Sequence, residues 1–274
     1  MLETWQHFYD WHDPIALSLF GFDIRWYGLM YVTALLSGYL LGRWLVTKDK
    51  LPLTLDQYDR AFIWVEIGVV LGARLGYIVF YDEHTWWYLS HPWEIFNPYH
   101  NGQFVGISGL SYHGAIIGFF IAALWFCKRE KIKLFMLMDL AVVASAAGYF
   151  FGRVGNFLNA RLMGRETDVP WGVYVDGVLR HPALLYEAVL EGLVTFIILF
   201  LIRHKKSFEG ELMFYYGMLY STGRFISEFF RQPDPQLGFI FWGWVTMGQI
   251  LSFAMFAVAL ALLLYFKGRT SARA

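Results

Sequence analysis

Apolar residues along this chain gather in blocks too long to be strands. Runs such as LMYVTALLSGYLLG, FIWVEIGVVLGARLGYIVFY and FMLMDLAVVASAAGYFF lack the strict alternation of a half-buried sheet. Their length suits the roughly 17 to 25 residues that cross a hydrocarbon core. Seven blocks are read: Ile24 to Val46, Ala61 to Tyr81, His113 to Cys127, Phe135 to Phe151, Ala183 to Ile202, Leu212 to Phe230, and Phe239 to Phe266. Lipid offers no hydrogen bonds, so each predicts an α-helix. The expected fold is an all-α integral membrane protein of seven transmembrane helices, read as a single domain over residues 1–274. An extended outer segment, Asp82 to Tyr112, joins helices two and three.

Composition supports that class: 57% of the 274 residues are hydrophobic and 20% are aromatic. Net charge is zero, so no global field points to nucleic acid. The single cysteine, Cys127, excludes an internal disulfide and a CxxC motif. The N-terminal MLETWQHFYDWHDP, acidic and aromatic without a basic leader, does not read as a cleavable signal peptide.

Charge placement predicts orientation. All eight lysines (48, 50, 128, 131, 133, 205, 206 and 267) follow odd-numbered blocks, which the positive-inside rule makes cytoplasmic. The N-terminus is then outside and the C-terminus inside. The outer side keeps cations only as arginine: Arg25, Arg153, Arg161, Arg165, Arg180, Arg224 and Arg231, with Arg74 near the end of block two. Arginine's planar fork grips phosphate bidentately, so this choice points to a phosphate-bearing ligand. The tryptophan-rich outer segment, with WWYL and HPWEIF, reads as an interfacial aromatic belt.

The chemistry-bearing residues cluster at those outer ends. In GRVGNFLNARLMGR (152–165), Arg153, Asn156 and Asn159 recur at steps of three, and a ridge of Ser145, Gly148, Gly152 and Gly155 leads into them. Arg153 could snorkel to head groups, but flanking amides favour an enclosed polar pocket. In GRFISEFFRQPD, Glu228 can pair with both Arg224 and Arg231 on one helix face. His113 stands in GLSYHG at the mouth of block three, where a histidine suits proton acceptance. RHPALLYEAVLEG brings His181, Tyr186, Glu187 and Glu191; Glu66 and Arg74 lie on block two. Carboxylates inside apolar blocks need partners, and pairing with the pocket arginines is the expectation.

Taken together, RWYGLMY (25–31), GARLGYIVFY (72–81), GLSYHG (109–114), GRVGNFLN (152–159), RHPALLYE (180–187), FFRQPD (229–234) and MGQILS (247–252) resemble the prolipoprotein diacylglyceryl transferase family. The matches keep the family's order across nearly the whole chain. The resemblance implies a multi-pass enzyme of the bacterial inner membrane that moves the diacylglyceryl group of phosphatidylglycerol to the lipobox cysteine thiol of a prolipoprotein. Glycerol phosphate is released, and no metal or cofactor is implied. Carried over by motif, it marks Tyr27, His113, Arg153 and Arg224 as catalytic. It also marks Asn156, Gly164 and Glu228 and places Arg153 on phosphatidylglycerol; joined to the residue reading above, the expected lipid-binding set is Arg153, Asn156, Asn159, Gly164, Arg224 and Glu228, with His181, Glu187 and Arg231 in support. Ala115 replaces a family glycine, and Arg161 stands where the family usually carries an acidic residue.

Two other classes are consistent with parts of the pattern. Ser108 in GISG with nearby His113 would suit an intramembrane serine protease, but no third group completes that set. An anion or lipid transporter would also use an arginine-lined path, though no repeat of two similar halves is visible.

Overall fold

The computed structural model describes residues 2–19, 21–100, 103–104, 106, 109–159, 164–233 and 237–271. Among them run seven long helices: α1 (Trp26–Lys48), α2 (Leu55–Phe80), α3 (Tyr112–Glu130), α4 (Leu134–Leu158), α5 (Ala183–Ile202), α6 (Glu211–Ser227) and α7 (Met247–Ser271). Short helical turns and two-stranded antiparallel hairpins fill the connections. Five helices, α1, α2, α4, α5 and α7, are long and apolar enough to cross a membrane. The chain is a mostly helical, multi-pass membrane protein. The other two are more polar or shorter. α3 ends in Lys128 and Arg129, and α6 has 17 residues, about 26 Å at 1.5 Å per residue.

Several helix ends differ from the hydropathy reading, each for a local reason. α2 starts at Leu55, before the apolar block, because Thr54 and Gln57 form a reciprocal capping box. α4 runs through Leu158, carrying the polar GRVGNFL as regular helix. α7 starts only at Met247: the chain turns back across Phe241–Val245, with Trp242 and Gly243 at positive φ. The expected ridge on α4 is also narrower than its sequence suggested. A Cβ on Gly148 would lie 2.9 Å from the Ala34 carbonyl oxygen, and one on Gly155 would lie 2.7 Å from Met30 Cβ. At Gly152 it would meet nothing within 4 Å, and Ser145 is exposed.

The helices group into two compact units, residues 43–137 and residues 1–42 with 138–274. In the first, α2 and α3 meet along glycines. A Cβ on Gly72 would sit 2.3 Å from the Gly114 carbonyl oxygen, and one on Gly118 would sit 2.0 Å from that of Gly68. Backbone thus lies directly on backbone, the small-residue contact by which helices associate in lipid. Arg74 is 5% exposed, with Nε donating to the Ile95 carbonyl (2.6 Å), Nη1 to that of Gly109 (3.2 Å), and its guanidinium over the Tyr88 ring. Arg74 thus fastens the outer segment to α2. Glu66 forms no ion pair among the described residues.

In the second unit, the N-terminal stretch does structural work. Tyr9 Oη donates to the Phe157 carbonyl (2.7 Å) and His12 Nε2 to that of Leu158 (2.9 Å). These are carbonyls that the end of α4 leaves without intrahelical partners. Trp5 and Phe8 pack on Phe157, Val173 and Leu184. At the other end of α4, Asp139 is 2% exposed and accepts from the amides of Gly210, Leu212 and Met213 and from Lys206 Nζ (2.8 Å). One carboxylate thereby satisfies the orphan donors at the start of α6.

Replacing Gly118 by leucine should cost at least about 2 kcal/mol, because no rotamer avoids the facing backbone of α2. Replacing the open Gly152 by alanine should cost nothing and gain up to about 1 kcal/mol. Detergent-titrated unfolding of the two variants checks the contrast.

Candidate functional site

Arg153 lies on α4 with Tyr149 one turn before it and Asn156 one turn after, on one face of the helix. That face meets α5 and α6. α5 relaxes into a π-helix across Ala188–Val194, a wide turn of the kind found at functional sites. Small residues make this possible: a Cβ on Gly192 would fall 2.8 Å from the Phe150 amide nitrogen, and one on Gly223 would fall 3.2 Å from Glu191 Cγ. The close approach sets Glu187 and Glu191, both with no exposed surface, among the arginines.

Glu187 is the hub. Its Oε2 lies 3.0 Å from Arg153 Nη1, while its Oε1 accepts from Arg224 Nη1 (2.9 Å) and Arg231 Nη1 (3.3 Å). Arg153 and Arg224, drawn from different helices, therefore grip the same carboxylate. Glu228 pairs with Arg224 Nη2 and lies 3.8 Å from Arg231 Nε. Its other oxygen accepts from the Thr246 hydroxyl (2.6 Å). Glu191 accepts from the Ser227 hydroxyl (2.6 Å) and from the Tyr149 hydroxyl, and its nearest cation is Arg224 at 4.0 Å. Three guanidiniums and three carboxylates thus form one buried, formally neutral cluster. An ion buried from water needs such compensation, since an unpaired one costs several kcal/mol.

The two key arginines are held differently. Both Nη atoms of Arg224 are committed to carboxylates. Arg153 is held by one hydrogen bond, Nε donating to Tyr149 Oη (2.7 Å), and by an ion pair without hydrogen-bond geometry from Nη1 to Glu187 Oε2 (3.0 Å). Its Nη2 has no hydrogen-bond partner among the described residues.

Other predicted positions fall outside the cluster. Asn156 is half-buried, and Asn159 lies in the turn after α4, its amide nitrogen donating to the Asn156 carbonyl (3.2 Å). The helix ends before Asn159, so the run of three does not continue. Gly164 supplies clearance: a Cβ there would lie 2.2 Å from the His181 carbonyl oxygen and 2.8 Å from that of Phe230. Tyr27 opens α1, 42% exposed, without a hydrogen bond to the cluster among the described residues. His113 belongs to the other unit, exposed, its Nδ1 3.4 Å from Tyr81 Oη. Arg161 and Ser108 lie outside the described residues.

Two outer arginines expected to meet phosphate serve the backbone instead. Arg165 donates to the carbonyls of Arg231 (2.9 Å) and Glu228 (3.0 Å) past the end of α6. Arg180 donates to the Gly164 carbonyl (3.3 Å) and lies 3.7 Å from Glu166.

Comparison with known proteins places the whole chain. The profile described as prolipoprotein diacylglyceryl transferase matches residues 14–265. The chain belongs to that family. It is 58% identical over 259 residues to the phosphatidylglycerol–prolipoprotein diacylglyceryl transferase of Campylobacter jejuni subsp. jejuni serotype O:6, covering 94% of this chain and 95% of that one. The same-named protein of Campylobacter lari is 53% identical over 266 residues, 97% and 98% of the two chains. That of Aliarcobacter butzleri is 53% identical over 251 residues, 92% of each.

Within this family member, the sequence reading missed Tyr149, Ser227 and Thr246. Hydroxyl groups in apolar blocks carry little periodic signal. Thr246 could have been found: with Gln249 it forms a capping box on α7, Thr246 Oγ1 accepting from the Gln249 amide (3.2 Å) and Gln249 Oε1 from that of Thr246 (3.0 Å). Gly248 makes room beside it, since a Cβ there would lie 2.5 Å from Glu228 Cδ.

Removing the hub should be severe. Glu187→Ala leaves three guanidiniums facing one another and is expected to lose about 3–5 kcal/mol, read from thermal unfolding in detergent. A second expectation concerns His181, which packs on Phe230 and accepts at Nδ1 from the Tyr186 hydroxyl (3.2 Å). Burial holds its pKa below the ordinary histidine value, helped by the Arg165 guanidinium and opposed by Asp168. A depressed histidine pKa stabilises the fold above about pH 6.5, and that contribution is lost as pH falls through the folded value. Between pH 7.5 and 5.5 the wild type should therefore lose more thermal stability than His181→Phe.

Proposed function

We propose that this chain transfers the diacylglyceryl group of phosphatidylglycerol to the lipobox cysteine of a prolipoprotein. It does so as one seven-span domain of a bacterial inner membrane, N-terminus outside. Two features support the reading: family membership across 92–97% of the chain, and the convergence of Arg153 and Arg224 on Glu187. The convergence carries the chemistry.

The reaction breaks the bond between the glyceryl carbon and its phosphate oxygen and forms a bond from that carbon to sulfur. The thiol proton leaves to a base, because only the thiolate is a useful nucleophile. Negative charge then grows on the departing glycerol phosphate. A cation already oriented at that oxygen stabilises the transition state more than the ground state. Arg153 is assigned this role, since its Nη2 is the unengaged edge of a fork held at two other points. Arg224, locked by Glu187 and Glu228, keeps the cluster's charge and shape and contributes its field. Asn156 and Asn159 are assigned to the lipid's glycerol hydroxyls, and Tyr27 to the mouth of the site. His113 is assigned as thiol base. The enzyme's Cys127 is buried, so the nucleophile arrives with the substrate.

Purified enzyme supplied with phosphatidylglycerol and a lipobox peptide should release glycerol phosphate. Arg153→Lys replaces a fork with a point charge and should lower turnover at least about a hundredfold, comparable to losing one preorganised donor. His113→Asn should slow transfer by about the 10²–10⁴ typical of general-base loss. Wild-type turnover in Arg153→Lys would remove Arg153 from the mechanism, and the same result in His113→Asn would reassign the base.

A further inference from the structure

We infer that Tyr149 is a positioning residue for the reaction, aiming the Arg153 fork at the lipid phosphate through a hydroxyl relay anchored on Glu191. This rests on the reading of Arg153 given above. Tyr149 and Arg153 are i, i+4 on α4, so their side chains stack along one face. The guanidinium carbon lies 4.8 Å from the Tyr149 ring centroid, and Arg153 Nε donates to the phenol oxygen at 2.7 Å. One tyrosine therefore touches the guanidinium through both its ring and its hydroxyl.

Proton directions follow from the partners. Nε of arginine can only donate, so the Tyr149 oxygen accepts there and its own proton must go elsewhere. It goes to Glu191 Oε2. Glu191 is fully buried on the π-turn, and its other oxygen takes the Ser227 hydroxyl at 2.6 Å. The chain Arg153, Tyr149, Glu191, Ser227 thus links α4, α5 and α6. Tyr220 meets the Tyr149 ring edge-on, centroids 5.6 Å apart at 88°, which blocks ring rotation.

The consequence is angular. A guanidinium tied only at Nη1 to Glu187 could swing about that contact. Tied also at Nε, on the adjacent edge of the plane, it has one orientation, and Nη2 points where the two tethers dictate. Catalysis by a preorganised cation depends on that orientation being set before charge develops. Glu187 alone supplies attraction; the Tyr149 relay supplies aim.

The test removes one oxygen atom. Tyr149→Phe keeps the ring over Arg153 and against Tyr220 but deletes the acceptor for Nε. It should lower kcat about tenfold or more, the scale of a lost hydrogen bond to a charged group, with KM for phosphatidylglycerol changing less than about threefold. In enzyme labelled with ¹⁵N-arginine, the Arg153 Nε–H signal, assigned by its absence in Arg153→Lys, should shift and broaden in Tyr149→Phe. A purely structural tyrosine would lower thermal stability without moving that signal. Glu191→Gln, which removes the charge of the relay's anchor, should lower kcat severalfold with a shift in the same signal. It serves if Tyr149→Phe does not fold. Wild-type kcat in the folded variants, or reduced kcat with an unmoved Nε–H signal, would overturn the inference. If Arg153→Lys itself turns over normally, the reading beneath it falls instead.

Discussion

A carboxylate with no exposed surface, surrounded by three guanidiniums, is the constraint on which the second unit depends. Glu187 binds Arg153 from α4 and Arg224 and Arg231 from α6 and just beyond. Burying any one of these ions alone would be prohibitive, so each arginine stays inside only because the others and their carboxylates do. The packing around them follows from that requirement. α5 opens into a π-turn, Gly192 and Gly223 give up side chains, and Gly248 clears the space that Glu228 occupies.

Neutrality also bears on binding. Three positive and three negative groups leave no net charge in the cluster, so under the proposed function a phosphate would be met by geometry rather than by a surplus of cations. The unequal commitment of the arginines supplies that geometry. Arg224 is spoken for at both Nη atoms, whereas Arg153 is tethered on two edges and open on the third. A site of this kind holds its donor groups in place before the ligand arrives, which is the condition for stabilising charge that appears only in the transition state.

The remaining arginines show why residue type alone misleads. Arg74, Arg165 and Arg180 sit toward the same outer ends in the sequence, and their forks close on backbone carbonyls. A guanidinium satisfies several carbonyls at once, which is valuable where helices end and loops cross with few water molecules to help. The N-terminal Tyr9 and His12 do the same work for the last turn of α4. Ion pairing in the cluster and loop fastening therefore draw on one residue type for one property, its multiple donors.

Hydropathy alone determined the class of the protein and the place of its helices, because lipid imposes a length and an apolar content on any segment that crosses it. It also made legible that Arg153, Arg224, Glu187, Glu228 and Arg231 needed one another, since buried charges must be compensated. The helix pairing through Gly72, Gly118 and Gly155, the late start of α7 and the partners of Arg74 were decided by the tertiary structure. So were the places of Tyr149, Ser227 and Thr246. A one-dimensional pattern records which residues are polar, but a hydrogen bond depends on direction. Direction exists only once the helices have been packed at the rotation and separation their glycines allow.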